Sequence, residues 1–181
     1  MKDTGITRRI DQLGRIVIPR EIRKVLRIKE GDTLEFYSEK DQIVIKKYSP
    51  VAVLADNAQA VAHGIKELTE KTCVIVDTDK VVYVSDNKHK DIIGKHISER
   101  LAKALSERKS IVLSRADGSA LIPITDEDTE QAENQMIVPV MNGGDIYGGI
   151  IVTDTLTDNR LNSADVKLVN LGATFLSKQF D

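Results

Sequence analysis

The stretch that most limits the fold of this chain is residues 8–24, RRIDQLGRIVIPREIRK, in which apolar and basic side chains are interleaved. Its isoleucines, valine and leucine recur at sheet-like spacing, while six arginines or lysines stand among them. Successive side chains of a strand point to opposite faces, so one face can be apolar while the other carries the charge. We therefore expect a two-faced element that buries one side and presents the other to a negatively charged partner.

The positive charge lies at the front of the chain, although the net charge of the whole chain is only −2. Residues 1–50 hold 12 lysines and arginines against 8 aspartates and glutamates, whereas residues 51–181 hold 14 against 20. This separation indicates a basic module that meets a polyanion, joined to an acidic module that does not. On charge alone, a solvated charged face is the alternative.

Residues 5–48 are predicted to form two strand pairs around one short helix. The first pair is GITRRID and GRIVIP, Pro19 opens the helix, and TLEFYS and QIVIKKY form the second pair. A module of about 47 residues without a disulfide or a metal buries too little surface to be comfortably stable alone. We expect that dimerisation supplies the missing core.

Residues 4–37, TGITRRIDQLGRIVIPREIRKVLRIKEGDTLEFY, resemble the swapped-hairpin AbrB-type DNA-binding domain almost position for position. The resemblance implies an intertwined dimer in which two chains interleave their hairpins into one small β-barrel. It also implies that basic residues of both chains form a continuous face that binds double-stranded DNA. The side chains that match the family's binding positions, or lie beside them, are Arg8, Arg9, Arg15, Arg20, Arg23 and Lys24.

Lys24 stands where an arginine is common in that family. A lysine neutralises a phosphate as a point charge, but it lacks the planar fork with which arginine reads guanine. We expect Lys24 to position the protein on DNA rather than to read its sequence.

Residues 49–71, SPVAVLADNAQAVAHGIKELTEK, predict a helix whose apolar positions recur at intervals of three and four. This heptad spacing allows two such helices to pack side by side in a dimer, and packing onto the chain's own C-terminal domain is the alternative. We predict a head at residues 1–49, a helical linker at 50–70 and a C-terminal domain at 71–181. The heptad positions are Val51, Leu54, Ala58, Val61, Ile65 and Leu68.

From residue 72 onward the pattern predicts an α+β domain. CVIVD, VVYVS and SIVLS are strands, SERLAKALSERK is a helix, and MIVPVMNGGDIYGGIIVTD forms two long strands around a turn. A last helix spans residues 163–180 and has apolar residues on two faces, so it either meets a second helix or is buried within one domain. The order resembles a GAF domain, a sensor fold with a central antiparallel sheet.

The C-terminal part shows no pattern for catalysis or for metal binding. His63, His89 and His96 lack metal-ligand spacing, GGDIYGG lacks the end of a phosphate-binding loop, and Cys73 lies in an apolar run. We expect no enzyme activity, no metal and no cofactor. Residues 125–135, TDEDTEQAENQ, predict an acidic loop over one side of the sheet, and a lid above a small-molecule pocket is the sharper alternative.

A head, a helix and a sensor-like domain in this order resemble a family of transcription regulators of spore formation. We therefore expect a cytoplasmic, sequence-specific DNA-binding regulator that is at least a homodimer, with a homotetramer expected. No apolar run approaches the ~20 residues that a membrane span needs. Activation or repression and the existence of a small-molecule ligand stay open. Two alternatives remain: an antitoxin-like protein that binds a toxin and its own operator, and a signalling module that binds a small molecule without DNA.

Overall fold

The structure is a computed structural model, and it describes residues 5–49, 51, 54–127, 132–156 and 160–180. The chain divides into two compact units, Met1–Tyr48 and Ser49–Asp181, which are described separately below. Among the described residues, none of the helices has the length and apolar character required to cross a membrane.

The first unit contains one short helix and one hairpin. Helix α1 (Arg20–Val25) begins directly after Pro19, whose ring fixes a backbone angle compatible with a helix start. Strands β1 (Leu34–Glu39) and β2 (Gln42–Lys47) pair antiparallel. The helix and the second strand pair of the head are therefore confirmed.

The strand pair predicted at residues 5–11 and 14–19 is not formed within one chain. Residues 5–19 contain a turn but no paired strand. Two backbone hydrogen bonds define the turn, from Gly14 N to Asp11 O and from Asp11 N to Arg15 O, each 3.0 Å long. An extended segment becomes a strand only when a neighbour pairs with its N–H and C=O groups. The sequence pattern records the alternation of side chains, and it does not say which chain supplies the neighbour.

The second unit is built on one five-stranded antiparallel sheet with the strand order β4-β3-β7-β6-β5. All five strands were predicted. The two long strands meet at a turn formed by Gly143 and Gly144, whose φ angles of 59° and 93° favour glycine. The strands are β3 (Thr72–Asp77), β4 (Val81–Val84), β5 (Ile111–Ser114), β6 (Asn134–Asn142) and β7 (Asp145–Asp154).

Helices cover both faces of this sheet. Helices α2 (Ala55–Thr69) and α4 (Ser163–Ser177) enclose one apolar core against one face, and α3 (Glu99–Ser106) encloses a second core against the other. Alternation along β3 assigns Ile75 to the first core and Val74 to the second. The second unit is therefore a three-layer α+β domain.

Helix α2 packs against its own C-terminal sheet, which is the second of the two alternatives. It buries Ala58, Ala62, Ile65 and Thr69, whereas Leu68 is 72% exposed. The buried stripe follows the 3.6-residue period of a helix on a globular core, so Ala62 and Thr69 are buried in place of the heptad positions Val61 and Leu68.

Helix α4 begins at Ser163, and its cap is the preceding residue, Asn162. The Asn162 side chain accepts hydrogen bonds from the backbone N–H groups of Ala164 and Asp165, and the Asp165 side chain accepts one from Asn162 N. This reciprocal capping satisfies N–H groups that the first helical turn leaves unpaired. The two-faced pattern of the helix persists, because Leu171 and Phe175 remain exposed opposite the buried face.

The acidic segment at 125–135 is shorter as a loop than predicted. Asn134 and Gln135 already belong to β6 and are each 2% exposed, while residues 128–131 lie outside the described part. The polar side chain of Gln135 is tolerated in the sheet because it bonds both backbone groups of Ile122.

Candidate nucleic-acid interface

The six basic side chains predicted to bind DNA all lie on exposed residues of the first unit. Arg8 and Arg9 lie in the extended segment before the turn, and Arg15 follows the turn directly. On α1, Arg20 stands three and four residues before Arg23 and Lys24, the spacing that places side chains on one helix face. The structure thus forms two basic groups, one at the turn and one on the helix.

Arg15 is held by Asp11, a residue that the sequence analysis did not single out. The Asp11 Oδ2 atom lies 2.7 Å from Arg15 Nε, and Asp11 Oδ1 accepts from the backbone N–H groups of Leu13 at 2.9 Å and Arg15 at 2.8 Å. The backbone N–H of Arg15, followed by its side chain, holds the pKa of Asp11 below its ordinary value. The sequence signal for this contact is an aspartate four residues before an arginine, with a glycine turn between them.

The hairpin of the head has one apolar face that is not covered within the chain. Cross-strand pairs place four apolar side chains on this face, and Phe36 and Ile43 on it are 63% and 75% exposed. We call it the apolar hairpin face; its members are Leu34, Phe36, Ile43 and Ile45.

The opposite face of the hairpin is polar. The Tyr37 hydroxyl donates to Glu35 at 2.6 Å, and Lys46 Nζ lies 4.8 Å from the centre of the Tyr37 ring. Polar and charged side chains that contact one another at the surface are typical of a face in water. The polar face therefore suits solvent, whereas the apolar hairpin face suits an apolar partner surface.

No described residue of the head is buried: every position from 5 to 48 is exposed or only partly covered. The C-terminal unit is different, because its cores contain large apolar side chains that are 0% exposed. Examples are Ile75, Leu101, Ile137 and Ile150. A head without an interior does not have the apolar burial that stabilises a folded domain.

The side chains considered for catalysis or metal binding lie apart. Across the described ranges, no group of three or more histidines, cysteines or acids is placed to hold a metal ion. His63 Nε2 lies 2.7 Å from the Tyr83 hydroxyl, and His96 Nδ1 lies 3.2 Å from Asp79. Cys73 is fully buried, and burial raises the pKa of its thiol well above the ordinary value, which keeps it protonated.

The C-terminal unit contains a small cavity of about 140 Å³ between residues 121–124 and strands β6 and β7. Arg115 lines it and donates from Nε to Ala132 O at 2.7 Å. Thr153 also lines it, and its buried Oγ1 atom has no hydrogen-bond partner among the described residues. The cavity therefore has an arginine and a threonine among its lining residues.

Comparison with known proteins gives the family. A family model described as "Stage V sporulation protein T C-terminal, transcription factor" matches residues 53–181. Stage V sporulation protein T of Bacillus subtilis is 37% identical over 182 residues, which cover 100% of this chain and 99% of that protein. The chain belongs to the stage V sporulation protein T family. This family resemblance spans the head as well as the C-terminal unit.

The head has its own relatives. The transition state regulatory protein AbrB of Bacillus subtilis is 54% identical over 50 residues, which are 28% of this chain and 52% of AbrB. A second family model, "Antidote-toxin recognition MazE, bacterial antitoxin", matches residues 7–52 and no more. The head is an AbrB-like domain, and the antitoxin model matches it together with the first residues that follow it.

The C-terminal unit has the GAF fold. The crystal structure of the GAF domain from the Acinetobacter phosphoenolpyruvate-protein phosphotransferase has a TM-score of 0.58 and 12% identity. It covers 69% of this chain and 80% of that chain. At this identity the likeness confirms the predicted architecture, an antiparallel sheet with helices on both faces, and it shows the fold alone.

Proposed function

We propose that this chain binds double-stranded DNA through an arginine-rich face of an intertwined dimeric head, and that it thereby regulates sporulation genes in the cytoplasm. The observation that carries the proposal is the division of the head into exposed basic side chains and an apolar hairpin face without cover. The family of transcription factors to which the chain belongs supports it. We propose no catalytic activity.

The state of the head supports the proposal of a second chain. Residues 7–19 have the alternation of a strand but are not assigned to one, and Ile10 and Val17 within them are 69% and 74% exposed. A second copy supplies both missing parts, because its backbone can pair with the extended segment and its apolar face can cover this one. The head is therefore proposed as a dimer whose core is shared.

The DNA face combines two kinds of contact. Arginines present planar forks that match the O6 and N7 atoms of guanine, whereas Lys24 suits a phosphate. We propose Arg8, Arg9, Arg15, Arg20 and Arg23 as the source of the arginine contacts and Lys24 as a phosphate contact, and variants of Arg8, Arg15 and Arg23 test the reading of bases. Each neutralised phosphate releases counterions, so the logarithm of affinity falls by roughly 0.9 per contact for each log unit of salt.

A fluorescence anisotropy titration over salt concentration tests the proposal on the intact protein. Arg8→Ala, Arg15→Ala and Arg23→Ala are each expected to weaken binding to a preferred duplex by roughly five- to a hundredfold, the range for losing a guanine contact. Arg100→Ala removes the same charge from an exposed position on α3, outside the head, and serves as the matched control. A flat response between low and physiological salt would rule out the arginine face.

We propose further that the C-terminal domains join two dimeric heads into a homotetramer. Leu171 and Phe175 on α4 and Leu68 on the adjacent α2 are 65%, 47% and 72% exposed, and large apolar side chains exposed together mark interaction surfaces. Replacing Leu171 and Phe175 by serine is expected to convert tetramers into dimers in multi-angle light scattering. An unchanged mass would refute this interface.

The cavity beside Arg115 supports a second proposed role, the binding of a small ligand that reports a signal. Its size suits only a few non-hydrogen atoms, and Arg115, Gln135 and Thr153 are polar residues of its lining. Thermal-shift screening with small carboxylates such as acetate and glycine tests it. A rise in melting temperature that Thr153→Val abolishes supports the site. An unchanged melting temperature with all of these compounds refutes the binding of a small carboxylate there.

A further inference from the structure

One acidic residue, Asp11, stands within the basic group at the turn. A negative charge among DNA-binding arginines opposes the approach of phosphates, so long-range electrostatics alone predicts that its removal strengthens binding. A local function must outweigh this cost if the residue contributes to binding. The contacts of its two carboxylate oxygens show what that function is.

The two carboxylate oxygens of Asp11 accept hydrogen bonds from different groups. Oδ1 accepts from the backbone N–H groups of Leu13 and Arg15, which shapes the turn in which Gly14 has a φ of 77°. Oδ2 accepts from Arg15 Nε at 2.7 Å and makes no contact with the turn backbone among the described residues. One oxygen therefore supports the turn, and the other orients one side chain.

The contact with Oδ2 leaves the recognition end of Arg15 available. A guanidinium has five N–H donors, of which Nε carries one and the two terminal nitrogens carry four. The Arg15 side chain is 72% exposed, so its terminal nitrogens project from the turn toward solvent. A long arginine otherwise loses considerable rotamer entropy when it is fixed against a base.

We propose that Asp11 is a positioning residue that holds the Arg15 guanidinium in its DNA-reading orientation. The proposal rests on the DNA contact of Arg15 proposed above. Arg15 then meets a base edge with Nη1 and Nη2 while Nε stays on the carboxylate. The rotamer entropy of Arg15 is then already lost in the free protein. Affinity for the specific site increases more than affinity for a random duplex, because only the specific site uses the oriented side chain.

Three variants of the full chain separate this role from a structural one. Asp11→Asn keeps an acceptor at Oδ1 for the turn and loses the acceptor for Nε, whereas Asp11→Ala loses both. Glu39→Gln is the matched control, because it removes one negative charge at an exposed position at the end of β1. The probe is a short duplex enriched by the wild-type protein from a random pool, with a scrambled duplex beside it.

We expect Asp11→Asn to lower affinity for the enriched duplex by about two- to tenfold, which is the scale of one exposed ion pair in each of two chains. Affinity for the scrambled duplex should stay equal or rise, as should both affinities for Glu39→Gln. In an Arg15→Ala background, Asp11→Asn should cause no further loss, because the group that it orients is gone. The melting temperature of Asp11→Asn should match that of the wild type.

The possible failures are distinguishable. If Asp11→Asn binds the enriched duplex as tightly as Glu39→Gln does, the carboxylate does not prepare Arg15 and the proposal is overturned. The same holds if Asp11→Asn weakens binding equally in the Arg15→Ala background, since the effect then passes through the turn. If Arg15→Ala binds like the wild type, the DNA contact of Arg15 fails, and the positioning role fails with it.

Discussion

The apolar hairpin face gives the sharpest prediction about the head, and its magnitude follows from Phe36. A phenylalanine has roughly 200 Å² of surface to bury. Phe36 is 63% exposed in one chain, so about 125 Å² remains to be covered, which at ~25 cal/mol per Å² corresponds to about 3 kcal/mol per chain. The two copies in a dimer contribute about 6 kcal/mol, or roughly a 10⁴-fold change in the dissociation constant, when the partner covers them completely.

The perturbation is Phe36→Ala in a head fragment of residues 1–48, compared with Tyr37→Ala. Tyr37 is adjacent in sequence but lies on the polar face, where it contacts Glu35 and Lys46. Sedimentation equilibrium should show a dimer for the wild type and for Tyr37→Ala, and dissociation for Phe36→Ala at the same concentration. Circular dichroism should show that the dissociated chains lose their strand signal, because no described head residue is buried without a partner.

Two results would refute the reasoning. A wild-type fragment that sediments as a folded monomer would mean that the head is stable without a shared core. Equal dissociation of Phe36→Ala and Tyr37→Ala would mean that the two faces of the hairpin are not distinguished in the dimer.

Three further predictions concern the C-terminal unit. Gly148→Ala should destabilise it by about 1–3 kcal/mol in urea unfolding, because a Cβ atom there would clash with the backbone carbonyl oxygen of Val76 on the neighbouring strand. Cys73 should react with a thiol reagent only as fast as the domain opens, and immediate reaction in native buffer would contradict its burial. Lys71→Met should destabilise the unit by about 3–5 kcal/mol, since the buried carboxylates of Asp165 and Asp154, 3.4 and 4.0 Å from the ammonium, would lose their counter-charge. An unfolding midpoint unchanged from the wild type would contradict that ion cluster.

The strands and helices of the C-terminal unit were predictable from sequence because each buries side chains against neighbours in the same chain. Alternation in β3 and the glycine turn between β6 and β7 are local signals that tertiary packing reinforces. The register of α2 was less determined. The heptad spacing includes both Ile65, which the structure buries, and Leu68, which it leaves exposed. Only the position of the sheet decides between the two.

The basic side chains of the head were also found from sequence, because charge and motif are visible there. The contact of Asp11 with Arg15 was not, since an aspartate before a glycine turn is ordinary turn chemistry and the contact is a matter of side-chain geometry. The strand partner proposed for residues 7–19 was beyond reach for a different reason. Backbone pairing leaves no mark that tells one copy of a sequence from another.

The absence of an interior in the head has a consequence for how the protein is kept in balance in the cell. In the proposed dimer, a chain without its partner exposes extended backbone and apolar side chains, which are the features that proteases and chaperones select. If such unpaired chains are cleared while assembled ones persist, the amount of active regulator would rise more steeply than its rate of synthesis. The apolar side chains that the proposed dimer covers would then set a threshold in the rate of synthesis, below which little active regulator accumulates.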